Sequence, residues 1–215
     1  MENRIIKVKG VGQASIPPDM IKINIEIKSL DDTYEKSLKK ANYDLENLRT
    51  ALGEEGFEKE SIKTINFSVD TKYENETREF NSKRKFIGYE IHHSLTIEFD
   101  NNEEKLSGVL NALARSKANP EFSIVYKLKD SKSFKEMILK DAISNSREKA
   151  ALIAEASGVK LGEIIVINYS FDEDEVYRSP LSLQKSMSVM SDNISIVAED
   201  LQQTDTVEIT WQIEI

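Results

Sequence analysis

Ile65-Asn66-Phe67-Ser68-Val69-Asp70 returns 102 positions later as Ile167-Asn168-Tyr169-Ser170-Phe171-Asp172. The match extends backwards from there: Ile62 corresponds to Ile164, and Gly56-Phe57 to Gly158-Val159. A long stretch of helical periodicity precedes the glycine in each copy, and an extended stretch follows it. Internal repetition is read first because it sets the architecture. Ile65, Phe67 and Val69, with Ile167, Tyr169 and Phe171, are expected to form one face of equivalent core strands. Asn66, Ser68, Asn168 and Ser170 would then lie on the other face.

Moving outward, residues 4–16 set Ile6, Val8, Gly10, Gly12 and Ala14 against Lys7, Lys9 and Gln13, a strand with one small-residue face. Pro17-Pro18-Asp19 ends it, because proline offers no ladder donor. Ile21, Ile23, Ile25 and Ile27 alternate with Lys22, Asn24, Glu26 and Lys28, a period of two that signals a strand. Asp31-Asp32-Thr33 supplies cap residues for a helix whose stripe is Tyr34, Leu38, Ala41, Leu45, Leu48 and Leu52. Gly53 and Gly56 bracket its end.

A strand is predicted from about 62 to 73, a polar hairpin loop from Glu74 to Lys85, and a returning strand over 86–99. A shorter helix spans about 103–116, with Leu106, Val109, Leu110 and Leu113 inward, and Asn119-Pro120 stops it. The second copy starts with Phe122, Ile124, Tyr126 and Leu128 in alternation. Ser131 or Ser133 then caps a helix burying Phe134, Ile138, Ala142, Ala150, Ile153 and Ala154. A strand over about 163–171 and a last strand over 207–215 complete it.

The reading is α+β: two quasi-repeated strand-helix-strand-strand units, about 19–100 and 121–215, joined by the helix at about 103–116 within one domain over 1–215. The units form mixed sheets with the long helices packed on one face. Each returning strand pairs antiparallel with its predecessor, and any crossover between parallel strands is right-handed.

The chain has 38 acidic residues against 29 basic and a net charge of −9, which opposes nonspecific attraction to nucleic acid or anionic lipid. At 215 residues, folding hides roughly 70% of the unfolded surface, enough for stability without a disulfide or metal. With no cysteine, thiolate chemistry and disulfides are excluded. No apolar run approaches a membrane span, and Met1-Glu2-Asn3-Arg4 enters an alternating strand without an export-type leader. As written, the chain is expected in the cytoplasm, without membrane insertion.

No motif announces chemistry. Gly10-Val11-Gly12 lacks a third glycine, since position 15 is Ser15, and no helix follows it as phosphate binding requires. It reads as a lightened strand against which another element packs. His92 and His93 are the only histidines, and as neighbours in a strand they point to opposite faces and cannot share an ion. Asp172-Glu173-Asp174-Glu175 lacks the alternating ligands and turn glycine of a calcium loop. Lys83-Arg84-Lys85 shares its hairpin with Glu74, Glu76 and Glu79, too mixed a surface for nucleic acid. Residues 176–204, with Tyr177, Leu181, Leu183, Met187, Val189 and Met190, either dock on a neighbouring subunit or fold over their own domain. No catalytic residue, metal ligand or cofactor site is assigned.

The order of features resembles the SIMPL-domain family, named after a mammalian kinase-interacting member and abundant among exported bacterial proteins. The resemblance rests on Val8-x-Gly10-x-Gly12 with Pro18-Asp19, Asn42, Leu52 and Gly56, Thr64 and Phe67, and Gly88-Tyr89. It rests above all on Asp141-Ala142, Arg147-Glu148-Lys149-Ala150, Ala154 and Gly158-Val159-Lys160-Leu161-Gly162-Glu163. The chain departs from the family where Ile196-Val197-Ala198-Glu199 replaces a frequent proline-glycine turn.

The resemblance implies an α+β domain without established catalytic residues. It also implies ring-like homo-oligomers in some bacterial relatives, and roles in the envelope and in stress tolerance. A chain trimmed of a leader would then be periplasmic or extracellular. The leading expectation is a non-enzymatic protein that self-associates. The alternatives are a small-molecule binder or enzyme with a cleft between the repeats, and a kinase or signalling-partner module.

Overall fold

A computed structural model describes residues 4–78, 81–170, 181–182 and 198–214. Asp172–Glu175, the end of the second phrase and most of the 176–204 segment lie outside the described residues. The contacts divide the chain into two compact units. One is inserted in the chain order, Asp19–Tyr126 with Ser179–Val197; the other is split, Met1–Pro18 with Lys127–Arg178 and Ala198–Ile215.

The inserted unit contains β2 (Met20–Asp31), α1 (Tyr34–Glu54), β3 (Lys63–Arg78), β4 (Asn81–Asp100), α2 (Glu103–Arg115), β5 (Glu121–Lys127) and β7 (Leu181–Ser182). The split unit contains β1 (Ile5–Ile16), α3 (Ser131–Ala156), β6 (Lys160–Asn168) and β8 (Leu201–Glu214). The sheet orders are β3-β4-β2-β5-β7 and β1-β8-β6. The pairings β2–β4, β3–β4, β5–β7, β1–β8 and β6–β8 are all antiparallel. The α+β expectation holds, and the sheet material forms two sheets. No helix among the described residues is long and apolar enough to cross a membrane.

In the inserted unit the isoleucine strand does what its period demands. Ile21, Ile23, Ile25 and Ile27 stand opposite Phe99, Ile97, Leu95 and His93, all buried, beneath α1. Each fully buried isoleucine contributes roughly 1.5–3 kcal/mol, so this face dominates the unit's stability. Thr33 caps α1 by accepting from the Lys36 N–H. The helix closes on Gly56 at φ 84°, a conformation suited to glycine.

The buried stripe of α1 is rotated from the expected one. Ser37 and Asp44 are buried with Ala41, Leu48 and Leu52, whereas Tyr34 is exposed. The rotation is tolerated because the Ser37 hydroxyl bonds to the Tyr89 carbonyl at 2.7 Å and Asp44 accepts from Ser29. The expected loop from Glu74 to Lys85 is also corrected, since β3 and β4 continue through it to Arg78 and Asn81. Glu74 stands opposite Lys85, and Tyr73 meets the Phe86 ring edge-on at 5.6 Å, so cross-strand pairs hold the ladder.

In the split unit α3 lies against β1 and β8. Its cap is Asp130, whose carboxylate accepts the Ser133 N–H, rather than Ser131 or Ser133. Its buried positions are Phe134, Ile138, Ala142, Ser146, Ala150 and Ala154, one every four residues, while Ile153 is exposed. Small residues on both partners bring the axes close: a methyl placed on Gly10 or Gly12 would collide with the carbonyl oxygens of Ala142 or Ile138. The glycine pair is thus a packing device, as the strand reading predicts. Val8, Val207, Ile209 and Trp211 complete the core beside Ala142 and Ala150.

The repeated phrase begins in matching settings, but the first copy lies wholly in β3 while only Ile167 and Asn168 of the second lie in β6, and Phe171 and Asp172 lie outside the described residues. β3 follows α1 and pairs with the returning strand β4; β6 follows α3 and pairs with the returning strand β8. Among the described residues both are edge strands of their own sheet. The expectation that the phrase forms a core face is overturned for Ile65, Phe67 and Ile167, all exposed, whereas Tyr169 packs beside the core. In the split unit the reason is coverage, since α3 spreads over β1 and β8 and barely reaches β6.

Candidate functional site

The face of the five-stranded sheet opposite α1 carries a cluster of charged and polar side chains. His92 Nδ1 lies 3.0 Å from Glu26 and its Nε2 lies 3.2 Å from Glu90 and 3.8 Å from Asp70. Lys72 reaches Glu90 at 2.8 Å, and Lys28 reaches Glu121 at 2.6 Å. The hydrogen bond from Lys72, followed by its charge and that of His92, holds the Glu90 carboxyl below the usual range. The bond to Glu121 holds the Lys28 ammonium above its ordinary value, against the opposing effect of burial.

These charges satisfy one another rather than pointing at a vacant centre. Among the described residues no group of three or more histidine or acidic side chains is arranged to hold a metal ion. An open groove of about 270 Å³ beside the cluster is lined by Asn24, Glu26, Ile65, Ser94 and Phe122. That is below the usual range of ligand pockets, about 300–1,000 Å³.

The adjacent histidine faces the core, as the strand alternation requires. His93 is buried, with Nε2 3.0 Å from the Thr64 hydroxyl and its ring edge-on to Phe67 at 5.1 Å. Burial, with a smaller contribution from the Arg49 charge, pushes its pKa below the ordinary 6.5. The native imidazole therefore stays neutral where the unfolded chain's would protonate. Its stabilising contribution is complete above pH 6.5 and is lost as pH falls from there towards the native value. Between pH 7 and pH 5, the melting temperature of wild type is expected to drop further than that of His93→Gln. Equal slopes would show that His93 carries no such penalty.

The other distinctive surfaces are strand edges. β1 is an edge of its sheet, but α3 occupies it: the Val11 N–H donates to Asn145 Oδ1 at 3.1 Å and the Gln13 N–H to Asp141 Oδ2 at 3.3 Å. β3 is guarded by Lys63, Asp70, Lys72 and Glu74, charges of the kind that discourage edge pairing. In β6 the only charges are Lys160 and Glu163, both ahead of the apolar run. Ile164, Ile165, Val166 and Ile167 are consecutive and are 51, 47, 43 and 57% exposed. Among the described residues none caps their outward backbone groups.

A family model described as SIMPL, protein of unknown function (DUF541), matches residues 6–211, from Ile6 in β1 to Trp211 in β8. The chain belongs to the SIMPL family. No curated protein matches it. The match takes in strands and helices of both units, so the SIMPL assignment applies to nearly the whole chain and not to one unit alone.

The features singled out in the sequence are dispersed over this SIMPL fold. Gly10 and Gly12 serve packing, His92 and His93 lie on opposite faces of one sheet, and Arg84 stacks over Tyr73 at 5.5 Å in the extended hairpin. The reading from residues passed over Ile164–Ile167 as a surface. The available signal was their lack of alternation, since four successive apolar residues do not describe a strand with one solvated face.

Proposed function

We propose that this SIMPL chain is a non-enzymatic protein that works by associating with copies of itself, in the envelope and stress-tolerance setting that its resemblance implies. The observation that carries the reading is β6, which among the described residues is an edge strand with four consecutive exposed apolar residues. An exposed apolar edge of this kind is a template for pairing with another strand. The polar cluster around His92 supports the non-enzymatic side, because its charged groups are spent on one another.

Light scattering coupled to size-exclusion chromatography tests the reading. At tens of micromolar the eluting mass is expected to be a multiple of the 24.5 kDa chain. A strict monomer at that concentration overturns it.

A further inference from the structure

We propose that Asp141, Asn145 and Lys149 of α3 form an edge guard, a ladder of side chains that stands in for a neighbouring strand along β1 and closes that edge to strand addition. This goes beyond the self-association reading and does not rest on it. Alternate residues of an edge strand turn their N–H and C=O groups away from the strand they pair with. On β1, α3 meets three such residues in succession. The Gln13 N–H donates to Asp141 Oδ2 at 3.3 Å, the Val11 N–H donates to Asn145 Oδ1 at 3.1 Å, and Lys149 Nζ reaches the Lys9 carbonyl at 3.5 Å.

Two periods make the ladder possible. Its helix residues are spaced by four, about 6 Å of rise, and its strand residues by two, about 6.8 Å. Helix and strand run in opposite directions, and the two spacings differ by less than about 1 Å at each rung. Reach is the other requirement, because Asp and Asn are short and the helix has to lie almost on the strand. Gly10 and Gly12 allow that approach, since a β-carbon on either would strike the Ala142 or Ile138 carbonyl oxygen. Ser146, on the same side of α3, donates to the Val8 carbonyl at 3.2 Å and fixes the rotation of the helix.

The rungs reproduce what a strand would supply. Two side-chain oxygens accept N–H groups as strand carbonyls do, and an ammonium donates to a carbonyl as a strand N–H does. A covering strand would present a new edge of its own. A helix presents none, because its backbone groups are bonded within it, and covering an edge with a helix is one way that proteins prevent edge pairing.

The test compares Asp141→Ala/Asn145→Ala with wild type in the full-length protein. At low concentration, amide hydrogen exchange at Val11 and Gln13 is expected to accelerate by at least about fivefold. At high concentration, light scattering is expected to give about twice the wild-type mass as freed edges pair, with the protection of Val11 and Gln13 regained. Asp141→Asn/Asn145→Asp keeps an acceptor at both rungs and the same net charge, and should return both readouts to wild type. Emission from Trp211, the single tryptophan and buried in the split unit, verifies that each variant is folded. If the double alanine variant fails to fold, Asn145→Ala decides through the exchange of Val11.

Exchange that rises evenly across the split unit overturns the guard. So does a mass equal to that of wild type, or a mass gained without renewed protection of Val11 and Gln13. Each variant is compared with wild type at the same concentration, so the outcome is independent of whether wild type is a monomer or an oligomer.

Discussion

Gly12→Val abolishes the native packing of the split unit. A β-carbon at Gly12 falls within the van der Waals envelope of the Ile138 carbonyl oxygen and 2.7 Å from the Ala142 nitrogen. Both are helix backbone, so no rotamer change relieves the clash, and α3 has to lift away from β1. Lifting it exposes Ile138, Ala142 and Ser146, and breaks the bonds from Val11 to Asn145 and from Gln13 to Asp141. Overpacking of a tight core costs about 1–3 kcal/mol, and the lost edge bonds bring the expected total to about 3 kcal/mol or more.

The measurement is a urea titration followed by Trp211 emission, which red-shifts as the split unit opens. Gly53→Ala is the contrasting variant. Nothing lies within 4 Å of its added carbon, so it is expected to stabilise α1 by about 0.5–1 kcal/mol. An unchanged midpoint for Gly12→Val would mean that α3 does not sit on β1 as described.

The second large effect lies in the inserted unit. The Ser29 hydroxyl donates to Asp44 Oδ2 at 2.6 Å, and both residues are buried. Ser29→Ala leaves the Asp44 side chain short of a donor, which is expected to cost about 1–3 kcal/mol. Asp44→Ala leaves the hydroxyl without its acceptor, at about 1–3 kcal/mol. The double variant is then expected to be less destabilised than the sum, by a coupling of about 1.5–3 kcal/mol, the range for hydrogen bonds to charged groups. Far-UV circular dichroism should follow the transition, because Trp211 reports on the other unit. Additive single effects would show that the bond contributes nothing of its own.

Much of the local structure was legible in the residues. The alternation of Ile21 to Ile27 set their common face, and the adjacency of His92 and His93 sent one to the polar face and one to the core. The small residues of β1 announced a close neighbour, which proved to be α3. What failed was local in appearance but nonlocal in cause. Ser37 and Asp44 are buried beside the half-buried Leu38 and Leu45 because partners at Tyr89 and Ser29, distant in the chain, satisfy those polar groups. The polar stretch from Glu74 to Lys85 looked like a loop, yet it is strand because charges and rings meet across the hairpin.

The candidate interface shows the same division. By themselves the residues determined an α+β chain with a repeated helix-and-strand motif, because backbone periods of two and 3.6 are written in neighbouring positions. They also determined that a strand would lead into the repeated phrase in both copies, although β6 ends at Asn168, two residues into the second. Only the tertiary structure decided that β3 and β6 would lie at sheet edges among the described residues, and that α3 would cap β1 rather than β6. Whether a strand is central or at an edge depends on which distant segments pair with it and which helix covers it. Neither is encoded in the spacing of its own side chains, so Ile167, expected on a core face, stands with Ile164, Ile165 and Val166 as surface in the fold.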